Sequence, residues 1–127
     1  MRVAPAFVAL GMLLAVSAQA PAQAKDLLPL AHGTYVREEF DAVDPPFAAI
    51  LEYDGSTFSG PHASACASRI LDHDGAKYRI STTCSAQGDG TPAVPYTEKE
   101  RIVVQSPTRM QFTHGDDMAV YRLVKAS

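Results

Sequence analysis

Apolar and polar residues alternate most regularly between residues 64 and 85, on either side of Asp74 and Gly75. Alternation with a period of two indicates a β-strand with one buried and one solvated face. After the glycine, small or apolar residues fall on one face and charged or polar residues on the other. The first set is Ala76, Tyr78, Ile80, Thr82 and Cys84, and the second is Lys77, Arg79, Ser81 and Thr83. The stretch is therefore predicted to be a β-hairpin with a cysteine near each open end.

The spacing of the two cysteines constrains the turn of this hairpin. A two-residue loop would place Cys66 and Cys84 on opposite faces, whereas a three-residue loop places both on the same face. His73, Asp74 and Gly75 have the chemistry of a three-residue loop that ends in a left-handed glycine and forms a bulge. We therefore predict this bulged turn and a disulfide between Cys66 and Cys84.

Two alternatives stay open for the cysteines. If Cys66 faces Thr82, then Cys84 is only a diagonal neighbour, and the bridge needs a local adjustment because bridging requires Cα atoms within about 7 Å. In the other alternative both cysteines are free and buried. A disulfide that closes a loop of this size would stabilise the fold by about 3 kcal/mol in the chain-entropy model.

Similar alternation, interrupted by turn residues, recurs through the rest of the chain. Further strands are predicted over residues 34–40, 47–53, 57–59, 96–105, 108–113 and 118–124. Residues 41–46 and 87–95 are rich in Pro, Gly or Asp and are predicted to be loops. No later stretch shows the sustained three-to-four spacing of a helix. The pattern predicts an all-β antiparallel meander of seven or eight strands closed into a small barrel, with a flattened β-sandwich as the alternative.

The first 24 residues have the pattern of an export signal. Arg2 supplies a positive charge, residues 7–16 form an apolar run too short to cross a membrane, and Ala22-Gln23-Ala24 is a small-x-small cleavage site. We expect cleavage after Ala24 and a single β-barrel-like domain over residues 25–127. We also expect a periplasmic or secreted protein, a setting in which disulfides persist.

Composition and charge narrow the classes of partner. The chain has 11 basic and 14 acidic residues, a net charge of −3, and the two signs are interspersed. The sequence contains no basic run, which argues against nucleic acid as a partner. No segment after the signal is long and apolar enough to span a membrane. The oligomeric state stays open.

Metal-binding patterns are weak. Residues 72–75 begin like a calcium loop, but Thr83 stands where an EF-hand needs a glutamate. His62 and His73 are a possible zinc pair, but two histidines of unknown proximity are weak grounds for such a site. Turn chemistry explains residues 72–75 better, so we expect neither a metal nor a cofactor.

Catalytic patterns are equally weak. Glu98 and Glu100 share a face of their predicted strand, but they alternate with Lys99 and Arg101, which is typical of a solvated strand. This charged half of the strand is expected to project past the sheet edge into water. His114, followed by acidic residues, is interpreted as part of a solvated turn. No serine, histidine and acid set can be placed, so we expect no catalytic activity.

The layout of the chain resembles that of small periplasmic proteins of Gram-negative bacteria. The resemblance rests on the export signal, the Leu28-Pro29-Leu30 and Gly33-x-Tyr35 opening, the cysteine hairpin and the Tyr121-Arg122 ending. In architecture these proteins are similar to lysozyme-inhibitor and lipocalin-like small β-barrels. The inhibitor family's Ser-x-Ser-Gly-x-x-Tyr loop and its cysteine near the C-terminus are absent here, so no inhibitory residue is carried over.

Two functional hypotheses follow. The favoured one is a binding or inhibitor-type module, without catalytic activity, that holds another periplasmic or extracellular protein through its loops. Its candidate binding residues are His73, Asp74 and Gly75 in the hairpin turn and Asp89 and Gly90 in the long loop. The alternative is a lipocalin-like carrier of a small molecule, which requires a cavity inside the barrel. The first is favoured because side chains leave little room inside so small a barrel.

Overall fold

The computed structural model describes residues 25–60 and 63–127, together with Gly11. Eight strands form within these residues, with a single 3-10 turn, Phe47–Ala49, before the second strand. They are β1 (Gly33–Arg37), β2 (Ile50–Tyr53), β3 (Phe58–Ser59), β4 (Ala63–Asp74), β5 (Lys77–Gln87), β6 (Pro92–Ser106), β7 (Arg109–His114) and β8 (Asp117–Ala126). Apart from Gly11, the predicted export signal lies outside the described residues.

All eight strands belong to one antiparallel sheet in the order β3-β2-β1-β8-β7-β6-β5-β4. Pairing of β1 with β8 joins the first and last strands of the meander. The two edge strands, β3 and β4, also approach each other. The hydroxyl oxygen of Thr57, just before β3, is 2.8 Å from that of Ser68 in β4, and Gly60 forms a β-bridge with Ala63. The sheet is therefore a nearly closed barrel, which confirms the predicted all-β barrel.

The hairpin of β4 and β5 confirms the predicted disulfide but not the predicted turn. Cys66 lies directly opposite Cys84 and is bonded to it, with the Cα atoms 4.0 Å apart. The turn contains two residues, Gly75 and Ala76, instead of three. Gly75 has φ +57°, as the first position of a tight hairpin turn requires. The extra residue is Leu71, a bulge within β4 that restores the parity and brings both cysteines to one face.

Three predicted element bounds differ from the structure by three or more residues. β1 ends at Arg37 instead of residue 40, and residues 47–49 are a 3-10 turn instead of strand. β6 begins at Pro92, inside the predicted loop of residues 87–95, and Pro92 lies opposite Ala86. Proline fits an extended strand wherever its missing N–H is not needed by a neighbour, which is why the turn-like composition there is compatible with strand.

Buried side chains fill one end of the barrel. Tyr35, Ile80, Ile102 and Met110 are fully buried in its interior. Residues 25–32, which precede β1, cross this end and bury Leu28 and Leu30 in the same core. We call residues 25–32 the lead-in segment, and it closes the barrel at this end.

Two buried tyrosines hold the lead-in segment in place. The hydroxyl of Tyr53 accepts a hydrogen bond from the Leu28 amide at 2.8 Å and lies 3.1 Å from the carbonyl oxygens of Leu28 and Gly55. The hydroxyl of Tyr35 donates to the carbonyl of Ala31 at 2.7 Å. These bonds satisfy polar groups that burial would otherwise leave unpaired. In the described part of the chain, no helix is long and apolar enough to cross a membrane.

Candidate functional site

The other end of the barrel contains a cavity of about 290 Å³. In a meander, every second connection lies at the same end, so the β1–β2, β5–β6 and β7–β8 connections lie around this opening. The volume is near the lower limit of known small-molecule pockets, roughly 300 Å³. We call this end the open end of the barrel.

Aromatic and small side chains form the floor of the cavity. The ring of Phe112 meets Phe58 and Tyr121 edge to face, with centroids 5.8 and 5.9 Å away. Ala119 lies directly opposite Phe112 on the neighbouring strand and is also part of the cavity wall. Because alanine fills little space, a larger residue at position 119 would take up part of the cavity.

The carboxyl group of Glu100 is the most buried charged group of the cavity. Glu100 is only 8% exposed and lies between Ile80 on β5 and His114 on β7. Thr82 donates a hydrogen bond to its Oε2 at 3.2 Å. Burial raises the pKa of Glu100 from its ordinary value of 4.5 to about 7, and the negative charge of Glu98 adds to the effect, whereas Thr82 and His114 oppose it. The Glu100 carboxyl group therefore gains or loses its proton close to neutral pH.

A second set of polar groups lies nearer the opening. His114 Nε2 is 3.0 Å from Glu98 Oε1, and the Tyr96 hydroxyl donates a hydrogen bond to the same carboxylate. That hydrogen bond to Glu98 raises the pKa of Tyr96. At the edge of the opening, Arg37 Nη1 lies 3.7 Å from Asp117 Oδ2. The polar part of the cavity thus carries more carboxylates than cations.

The expectation of a solvated, projecting strand at residues 98–101 is wrong. This segment lies in the interior of β6 and pairs with β5 on one side, and from Glu100 onward with β7 on the other. Its alternation places Glu98 and Glu100 inside the barrel and Lys99 and Arg101 outside it. His114, expected in a solvated turn, contacts Glu98 from the end of β7. The shared face of the two glutamates was the available signal, but sequence alone could not show that this face is the inner one.

The loop residues predicted to bind a partner lie at opposite ends of the barrel. His73, Asp74 and Gly75 are exposed at the closed end, where the His73 ring stacks on Tyr78 with centroids 5.2 Å apart. Asp89 and Gly90 are exposed at the open end, in the β5–β6 connection. None of the five lines the cavity. The structure therefore does not bring them together, and their role in binding stays a prediction.

The open end also carries several exposed apolar side chains. Val43, Phe47 and Val94 are 80, 77 and 88% exposed, and Tyr96 and Met118 are more than half exposed. Val43 and Phe47 belong to the β1–β2 connection, and Val94 to the first residues of β6. Most of the large apolar side chains that the described residues leave in water are therefore found at one end of the molecule.

The described residues show no group of three or more His, Cys, Asp or Glu side chains that could hold a metal ion. His62, one half of the histidine pair considered above, lies outside them. No protein-family model matches the chain, and no curated protein or solved structure is significantly similar to it.

Proposed function

We propose that this protein binds a small amphipathic molecule in the cavity at the open end of its barrel, as a lipocalin-like carrier without catalytic activity. The observation that carries the proposal is the contrast between the two ends. The lead-in segment and its buried leucines fill one end, whereas small side chains such as Ala119 leave about 290 Å³ free at the other. The sequence led us to expect little room inside so small a barrel, and the space at the open end is what favours the carrier.

The lining of the cavity favours a particular ligand chemistry. An apolar body would contact the rings of Phe58 and Phe112, while a polar head would meet Glu98 and Glu100. A carboxylate in a sheltered site is stabilised by a cation or by hydrogen-bond donors, and it repels another anion. The best match is therefore an amine or another donor-rich head on a short apolar chain.

The sequence and the disulfide support a place of action outside the cytoplasm. The first 24 residues have the pattern of an export signal, and the Cys66–Cys84 bond is of the kind that persists in oxidising compartments. We therefore place the proposed carrier in the periplasm or among secreted proteins.

The proposal is tested by calorimetric titration with three probes that share one apolar chain: octylamine, octanol and octanoate. Octylamine is expected to bind most tightly and octanoate most weakly. The affinity for octylamine should increase as the pH rises through about 7, because Glu100 becomes charged there while the amine stays protonated. Failure of all three probes to bind, or tightest binding of octanoate, would contradict the proposal.

Replacement of two different alanines by leucine distinguishes binding in the cavity from binding on the surface. Ala119→Leu is expected to weaken octylamine at least tenfold, since the added atoms occupy the cavity above Phe112. Ala67→Leu adds the same atoms at an exposed position of β4 and should leave the affinity unchanged. Equal affinities of Ala119→Leu and the unaltered protein for octylamine would show that the amine binds elsewhere.

The exposed apolar residues favour a second candidate function, capture of another protein at the open end. Val94 lies at the start of β6, within the segment of residues 87–95 that the sequence predicted to be a loop, and is 88% exposed. Phe47 is 77% exposed. A photocrosslinking residue at position 94 should then capture a defined periplasmic or extracellular protein, whereas the same residue at Ala67 should not. Binding of that purified protein should be lost in a Phe47→Ser and Val94→Ser double variant, and unchanged binding would reject this function.

A further inference from the structure

A set of cationic side chains gathers on the outer wall of the barrel, away from the cavity. Arg79 on β5 lies directly opposite Arg101 on β6, and Ser81 on β5 lies between Arg69 on β4 and Lys99 on β6. All four cationic residues are exposed. We call Arg69, Arg79, Lys99 and Arg101 the outer basic cluster. The linear sequence contains no basic run, so only the pairing of three strands brings these residues together.

The outer basic cluster borders a cleft of about 320 Å³. Arg79, Lys99 and Arg101 contribute to its walls together with Leu71 and Thr113. Glu100 and Gly115 border the cleft as well, and Glu100 is only 8% exposed. Thr113 lies directly opposite Arg101 on β7, so a hydroxyl is available beside the guanidinium groups. A concave site with several hydrogen-bond donors fits a compact ligand better than it fits the flat surface of a large partner.

The positive charge of the cluster is only partly neutralised within the protein. Arg79 Nε donates to Asp72 Oδ2 at 2.9 Å. In residues 25–60 and 63–127, no carboxylate forms an ion pair with Arg69, Lys99 or Arg101. Like charges directly opposite each other destabilise a sheet, and Arg79 faces Arg101 in this way. An anion between them would remove that repulsion.

We propose that the outer basic cluster is a binding site for a compact, multiply charged oxyanion of the phosphate type. Guanidinium groups match such oxygens with paired N–H donors, and the lysine and the threonine hydroxyl supply further donors. The site lies on the outer wall of the barrel, although Glu100 borders both the cleft and the cavity. It does not depend on the function proposed for the cavity. Its ligand is of the opposite charge to the one expected in the cavity.

Inorganic tripolyphosphate is the probe for this site, with binding followed by the backbone amide signals of the full mature chain. The signals of Arg79, Lys99, Arg101 and Thr113 should shift together on titration. Arg101→Gln is expected to weaken binding at least fivefold, and Asp72→Asn should strengthen it several-fold because it removes the competing carboxylate. Lys125→Gln, a matched change of an exposed cation at the end of β8, should leave the affinity unchanged.

The remaining outcomes distinguish this site from general charge attraction and from the cavity. Equal weakening by Lys125→Gln and Arg101→Gln would overturn the proposal, as would binding to vesicles of anionic phospholipid with none to tripolyphosphate. Ala119→Leu, which fills the cavity, should bind tripolyphosphate like the unaltered protein. Loss of tripolyphosphate binding in Ala119→Leu would place the anion in the cavity and reject the outer site.

Discussion

Glu100 is a carboxyl group in a sheltered part of the cavity. Its pKa is raised from 4.5 to about 7, mainly by burial. Between these two values the folded protein keeps a proton that the unfolded chain has released. The contribution of Glu100 to the free energy of unfolding should therefore be most favourable below about pH 4.5. It should fall as the pH rises towards 7.

Replacement of Glu100 by glutamine tests this account. Glu100→Gln should flatten the pH dependence of stability between pH 5 and 8, and should stabilise the fold at pH 8 by about 2 kcal/mol, a value that allows for partial contact with solvent. Urea unfolding at several pH values measures both effects. Glu52→Gln is the control, since Glu52 is exposed and glutamine can still accept the hydrogen bond from Thr34. A pH profile of Glu100→Gln that parallels that of the unaltered protein would contradict the account.

Tyr53 connects the lead-in segment to the barrel through one hydroxyl group. Tyr53→Phe leaves the Leu28 amide without its partner in a buried site, so we expect a loss of about 1–3 kcal/mol in the free energy of unfolding. Hydrogen exchange at the Leu28 amide should accelerate more than exchange in β6. Tyr78→Phe, which removes the hydroxyl of a half-buried tyrosine, should cost less than half as much. Equal losses in the two variants would show that the hydroxyl of Tyr53 does not hold the lead-in segment.

At the scale of elements, the β4–β5 hairpin shows what a strand pattern can determine. The alternation of residues correctly predicted that Cys66 and Cys84 share a face and are bonded. It did not determine where the extra residue lies, since one additional residue anywhere between the cysteines restores the same parity. The tight turn at Gly75 and the bulge at Leu71 are one solution among several with equal local chemistry.

Deletion of Leu71 tests this register. Without the bulge, the two-residue turn continues into a regular ladder in which Cys66 still faces Cys84. The variant should therefore fold and form the disulfide, seen as a mass about two daltons below that of the reduced protein. Deletion of Ser81 from the facing strand instead moves Cys84 out of register and should leave titratable thiols. Free thiols in the Leu71 deletion would contradict the observed pairing.

For the whole molecule, the sequence predicted the barrel but not which of its faces encloses the cavity. Alternation and short turns were sufficient for an all-β meander, because each strand shows its period independently. The segment Glu98-Lys99-Glu100-Arg101 is charged on both faces, so its pattern fits either orientation. Only the ring of eight strands assigns the glutamates to the interior and the cations to the outer wall.

The difference between the two ends of the barrel also arises only at this scale. The lead-in segment precedes the first strand, and nothing in its own sequence shows that Leu28 and Leu30 will close the end of the barrel. The space at the open end depends on Ala119 lying opposite Phe112, a contact between neighbouring strands of a specific register. The residue types therefore indicated that the barrel has an apolar interior, whereas the cavity could be recognised only from the three-dimensional arrangement.

The most direct test of the proposed carrier is a filtered nuclear Overhauser spectrum of the protein with bound octylamine, which reports the side chains within a few ångströms of the ligand. The account predicts contacts from the alkyl chain to the ring protons of Phe58 and Phe112 and to the methyl group of Ala119. Contacts confined to exposed residues such as Phe47 and Val94, with none to the cavity floor, would contradict it.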